Sequence, residues 1–155
     1  MTTLTVTTLI DAPREVVWHH LTATEAFASW NPFIPQLDGS LTPGARLQVR
    51  IAPPGARPMT FRPRVTALEP GRRLEWLGSL GVRGLFDGRH RFVLQDLDPG
   101  ITQFTQEEEF TGLLAPLTGA MLARTRAGFE AMNEALRTRA EAEVHGSAAG
   151  ERTPA

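Results

Sequence analysis

The 155-residue chain contains no cysteine, no tyrosine and no lysine, and only four serines. Without cysteine there is no disulfide, no thiol nucleophile and no thiolate metal site. The serines at 29, 40, 79 and 147 lie in no nucleophile motif. All 16 cations are arginines, nearly balanced by 17 acidic residues, for a net charge of −1. That balance supplies no long-range attraction for nucleic acid or anionic membranes and counts against both as main partners. The N-terminus, MTTLTVTTLI, lacks the basic start and apolar run of a secretory signal. The longest apolar-leaning run, Gly112 to Ala123, falls short of the ~20 residues that span a bilayer, so no stable membrane insertion and a cytoplasmic location are expected. Metal-binding spacing is also missing. His19 and His20 are adjacent on a predicted helix and point about 100° apart, and His145 is remote. Neither a metal nor another cofactor is expected.

What is present is an ordered succession of elements. Thr3 to Ile10 alternates polar and apolar residues as a first strand. "DAPREVVWHHL" opens a helix with Asp11 as a cap and Pro13 in its first turn, and "TATEAFASW" forms a second short helix that Asn31-Pro32 ends. From Pro35 to Gly112 the chain becomes short alternating runs separated by turn residues: Gln36–Leu41, Ala45–Ala52, Met59–Glu69, Arg73–Leu80, Leu85–Leu97 and Ile101–Gly112. From Ala115 to about Glu141, Leu117, Met121, Thr125, Gly128, Phe129, Met132 and Leu136 mark one face of an amphipathic helix. These elements make a single α+β domain over residues 1–143: a seven-stranded curved antiparallel sheet wrapped around a long C-terminal helix, with two short helices after the first strand. Residues 144–155 are polar, small and aperiodic, and are expected to be a disordered tail. A sheet of this size need not close completely on one helix, so a cavity between them is expected.

The last hairpin can be read residue by residue. If Leu97 faces Ile101 across Asp98-Pro99-Gly100, then Arg91 faces Glu107, Arg89 faces Glu109 and His90 faces Glu108. One face then carries solvated arginine–glutamate pairs. The other carries Phe92, Leu94, Phe104 and Phe110, with His90, Gln106 and Glu108 among them. A shift of one residue would turn the arginines inward. Glu108 is therefore the unusual residue of "QEEEF", since an inward carboxylate must be paired, hydrogen-bonded, hydrated or protonated. Two readings follow: a buried His90–Glu108 pair that only sets the register, or a polar spot in an apolar cavity that orients a ligand or moves a proton. Trp30 and Phe33 of "WNPFIP" read either as a hydrophobic plug or as walls of a pocket mouth. "GSLGVRG" lacks a following Lys-Ser/Thr, so it is a connection or an entrance loop and not a phosphate loop.

Taken together, "APREVVWHHLTATEAFASWNPFI", "VTALEPGRRLEW", "GRHRFVL", "QEEEFTGLLAPL" and "FEAMNEALRTRAEAE" resemble the START-like (SRPBCC) superfamily, in its polyketide cyclase/dehydrase-like branch. The resemblance covers about residues 3–143 and implies a helix-grip fold with an apolar cavity between sheet and helix. It implies wall positions at Trp30, Phe33, Trp76, His90, Phe92, Phe104, Gln106, Glu108, Phe110, Met121 and Phe129. It further implies a lipid, quinone or polyketide-like ligand. The protein is expected to be a monomer or homodimer. The superfamily has no universal catalytic set. His90 and Glu108 are the candidates for a cyclase or dehydratase, which would have to work here without a tyrosine donor. A blander alternative is a helper domain that binds another protein through a sheet edge or the last helix.

Overall fold

The structure, a computed structural model, describes residues 1–79, 82–113 and 119–150. The chain begins with β1 (Thr2–Ile10), α1 (Arg14–Thr22), a 3-10 turn (Thr24–Ala26) and the single-turn α2 (Phe27–Trp30). Seven further strands follow: β2 (Gln36–Asp38), β3 (Gln48–Ile51), β4 (Met59–Phe61), β5 (Arg64–Glu69), β6 (Arg73–Ser79), β7 (Asp87–Asp98) and β8 (Ile101–Thr111). The last helix, α3, spans Gly119–Gly150.

The α+β architecture is as expected, but among the described residues the strands number eight and form two antiparallel sheets, not one of seven. One sheet has the order β1-β8-β7-β6-β5, the other β2-β3-β4. The run expected as one strand over Met59–Glu69 divides at Pro63, which has no N–H to give a ladder. The sheets still touch: Leu47 N donates to the Pro63 carbonyl (2.8 Å) and Val65 N to the Ala45 carbonyl (2.9 Å), beside an Arg46–Arg64 bridge.

Three local expectations are corrected. Asp11 does not cap α1; the helix starts after Pro13 with no side-chain cap, and Asp11 N donates to Glu141 instead (2.9 Å). Residues 144–150, read as tail, continue α3, because small alanines and exposed polar residues suit a helix surface as well as a tail. The β7–β8 loop is Pro99-Gly100 with Asp98 opposite Ile101, and the irregularity falls at Leu97. Proline followed by glycine at φ +82° suits a tight two-residue turn. Leu80, Gly81 and residues 114–118 (including Ala115 and Leu117) lie outside the described residues, as do residues 151–155.

The hairpin register is otherwise as expected: Arg89 opposite Glu109, His90 opposite Glu108, Arg91 opposite Glu107, Phe92 opposite Gln106. Inward residues of β1, β7 and β8 meet Phe129, Met132, Leu136 and Ala140 of α3 at spacings of three and four. On the outer face the arginines share a partner that the hairpin alone did not reveal. Glu75 of β6, with only 7% of its side chain exposed, accepts from Arg89 and Arg91 (2.7 Å each) and from Thr66 (2.8 Å). Arg91 also pairs with Glu107, and its contact to Glu109 is longer, at 3.9 Å.

Burial alone would raise the Glu75 carboxyl, but the hydrogen bonds from Arg91, Thr66 and Arg89 outweigh it and hold it below its ordinary 4.5. A carboxyl lowered in the folded state contributes stability that is full above the unfolded value and is lost as pH falls through the folded one. Glu75→Gln is therefore expected to cost about 1 kcal/mol at neutral pH, discounted because both arginines are partly exposed. The deficit should shrink as pH falls below about 4.5, as urea unfolding at pH 7 and pH 3 would read. A pH-independent deficit would contradict this role.

Candidate functional site

An apolar cavity of about 370 Å³ lies between the two sheets and the N-terminal half of α3. Its existence follows from the strand sequences. On the inner face of β6 and β7, Trp76 and His90 are followed along the strands by Gly78 and Gly88, which lie opposite each other and project no side chain. The remaining walls come from Val49 and Ile51 of β3, Phe61 of β4, and Phe33 before β2. Met121 and Thr125, expected on the buried stripe of α3, lie along the cavity instead of in the core, and Met121 is 36% exposed.

Phe33 is held from both sides. The Asn31 side-chain oxygen accepts from Phe33 N (3.1 Å) and Ile34 N (2.8 Å), which folds "WNPFI" back on itself. The Phe33 ring then lies directly on the α3 backbone at Gly128, where a Cβ would collide with it, and meets Phe129 edge-to-face at 5.4 Å. Close contact is thus the reason for a glycine on this face.

The polar wall is a chain of side chains from three elements. Glu108 Oε2 lies 2.6 Å from His90 Nδ1, and His90 Nε2 lies 3.1 Å from Gln106 Oε1. Gln106 Nε2 donates to Asn133 Oδ1 on α3 (2.7 Å) and more weakly to the Phe129 carbonyl (3.4 Å). Asn133 Nδ2 donates to Thr8 Oγ1 (3.1 Å) and toward the Val6 carbonyl (3.5 Å). Backbone carbonyls only accept, so both amide nitrogens face them and Gln106 Oε1 is left toward the imidazole. His90 Nε2 must then carry a hydrogen. The remaining proton lies on the line between His90 Nδ1 and Glu108 Oε2, as imidazolium–carboxylate or imidazole–carboxylic acid. The imidazole is clamped by Trp76 (stacked, 5.2 Å) and Phe129 (edge-to-face, 5.0 Å). Glu108 Oε1 occupies the room that a Gly88 side chain would need and takes no hydrogen bond among the described residues. It is the free acceptor on the cavity wall.

Seven of the eleven expected wall residues line this cavity: Phe33, Trp76, His90, Glu108, Phe110, Met121 and Phe129. Phe92, Phe104 and Gln106 are buried behind the wall, with Phe92 and Phe104 stacked 6.1 Å apart. Trp30 is not on the cavity. It borders a shallow groove on another face of α3, beside His20 and Arg139. Sequence reading missed Asn133, although an asparagine four residues after Phe129 interrupts the apolar stripe and was a signal. It also missed Val49 and Ile51, whose alternation with Gln48 and Arg50 marked an inner face. Among the described residues no group of three or more His, Asp or Glu could hold a metal ion, and no helix is long and apolar enough to cross a membrane.

A sheet gripping a long terminal helix over an apolar cavity defines the START-like class of ligand-binding folds. Residues 1–141 match the family described as "Polyketide cyclase / dehydrase and lipid transport", and the chain belongs to that family. Its fold is similar to that of the Zhui aromatase/cyclase from Streptomyces sp. R1128, with 18% identity and a TM-score of 0.74 over 94% of this chain and 97% of that one. It is also similar to a START superfamily protein from Mycobacterium smegmatis, with 21% identity and a TM-score of 0.68 over 90% and 97% of the two chains. The di-domain ARO/CYC BexL from the BE-7585A biosynthetic pathway matches with 17% identity and a TM-score of 0.65, over 90% of this chain and 50% of that one. No curated protein matches in sequence.

Proposed function

We propose that residues 1–143 act as one domain that binds a small apolar ligand carrying a hydrogen-bonding group, as a carrier or sensor. The observation that carries this reading is a free carboxylate oxygen, Glu108 Oε1, on the wall of an otherwise largely apolar cavity of about 370 Å³. That volume is at the small end of ligand pockets and equals roughly a dozen water volumes of ~30 Å³, so it suits a body of about a dozen non-hydrogen atoms. Phe33, Trp76, Phe110 and Phe129 form the apolar walls, and a ligand hydroxyl or amide would donate to Glu108.

Blocking the cavity tests the reading. A Cβ at Gly78 would sit 3.5 Å from Pro63 Cβ, an ordinary contact, so Gly78→Phe can place a ring in the space without straining the backbone. Among lipids, quinones and aromatic polyketides, a ligand present at 100 times its Kd is expected to raise Tm of the parent protein by about 5–10 °C. The Gly78→Phe variant should show no shift while keeping its own Tm. If no compound in that set shifts the parent, the reading fails.

The second reading, a cyclase or dehydratase, rests on the fact that both His90 and Glu108 border the cavity. In it Glu108 takes a proton from the substrate and returns it to the departing hydroxyl, with His90 holding the carboxyl in place. Glu108→Gln would then abolish turnover and leave ligand-induced stabilisation largely intact. A pure carrier would show no turnover in either form.

A further inference from the structure

The charged side chains along the cavity are unevenly arranged. Its inner wall holds Glu108 and His90 as a pair, with Glu108 Oε2 2.6 Å from His90 Nδ1. Its exposed rim holds two arginines, Arg57 from the β3–β4 loop and Arg124 from α3, and no acidic residue. Neither arginine has an ion-pair partner among the described residues, which is also true of Arg46, Arg50 and Arg62; what sets these two apart is that both line the cavity. The chain is close to neutral, so these two are not part of a general excess of positive charge. They come from separate elements, and both line the cavity.

We propose that this mouth selects an anionic headgroup, so that the ligand is an amphipathic acid: an apolar body inside and a carboxylate or phosphate held at the rim by Arg57 and Arg124. This rests on the cavity being a ligand site, as proposed above. Guanidinium forks match carboxylate and phosphate oxygens alike, so both headgroups share the chemistry. His90 and Glu108 already hold each other at 2.6 Å, which leaves Arg57 and Arg124 as the described cations along the cavity that can meet an anion, and this orients the ligand with its headgroup outward.

The test is calorimetric titration of the protein with decanoate, decyl phosphate and decanol, in the parent and in an Arg57→Gln/Arg124→Gln variant. Decanol and decyl phosphate share a ten-carbon chain and the alkyl chain of decanoate is one carbon shorter, so the headgroup is the main difference and the shorter chain works against decanoate. Decanoate or decyl phosphate should bind about tenfold more tightly than decanol, with the stronger of the two assigning the headgroup, and added salt should erode the preference. In the double variant the order should invert, because an anion then loses hydration at the rim without compensation. Both arginines are exposed, and an unchanged Tm for the double variant will show that the fold is intact. Equal or tighter binding of decanol by the parent, or an anion preference that survives the double substitution, overturns the inference and leaves the cavity reading standing. If none of the three compounds binds, the mouth inference fails, and the cavity reading stands or falls on the wider set of lipids, quinones and aromatic polyketides.

Discussion

Gln106→Leu is expected to destabilise the protein by about 3–5 kcal/mol, more than any other change considered. Gln106 is fully buried, and it joins His90 on β7 to Asn133 on α3. Leucine fills the volume but leaves the His90 Nε2–H and the Asn133 Oδ1 facing hydrocarbon, each at a cost of roughly 1–3 kcal/mol. Changing the imidazole tautomer does not help, because an unprotonated Nε2 is an unpaired acceptor in the same place. A second substitution separates the network from simple packing. In Gln106→Leu/Asn133→Leu one of the orphaned atoms is gone, so the double variant should lose less than the sum of the two single variants. Urea midpoints read the difference. Strict additivity, or a loss below about 1 kcal/mol for Gln106→Leu, would mean that the chain of hydrogen bonds from Glu108 to Thr8 does not act as a unit.

Gly128→Ala should destabilise as well, against helix propensity. An exposed glycine-to-alanine change inside a helix gains about 1 kcal/mol. Here the new methyl group would collide with the Phe33 ring, which is pinned by the two hydrogen bonds to Asn31 and by its edge contact with Phe129. Overpacking of this kind costs roughly 1–3 kcal/mol, so a net loss of up to about 2 kcal/mol is expected. Phe33 lines the cavity, and the nearest relief is for its ring to swing into that space. Ligand affinity should therefore fall together with stability. If alanine stabilises the protein and leaves binding unchanged, Phe33 does not rest on the helix backbone as described.

The hairpin was legible because period-two alternation and opposite charges leave one sensible register for β7 and β8. That register alone places His90 and Glu108 together. The strand count was less legible. "FRPRV" looks continuous by hydrophobicity, and only the missing proline N–H divides it into β4 and β5. Long-range partners were least legible. Glu75 lies 14 and 16 residues from Arg89 and Arg91, and nothing local marks it as their shared acceptor. The cavity itself depends on side chains that are absent. Gly78 and Gly88 are ordinary strand glycines in one dimension, and they become a hollow only when β6 and β7 pair. Met121 shows the same limit in reverse: its helical spacing marks the inward face, but spacing cannot tell a packed inward face from one that borders empty space.

The central claim, that the space between sheet and helix is a ligand site, can be tested most directly through the methionines. The protein has four. Met59 and Met121 line the cavity, Met132 is fully buried in the core, and Met1 is exposed at the terminus. Methyl-13C-methionine spectra recorded during a titration with the compound that most raises the Tm of the parent should show Met59 and Met121 moving together and saturating with one Kd, while Met132 and Met1 stay in place. Saturable shifts confined to Met132 or Met1, or no shift at any of the four methyl groups, would contradict the account.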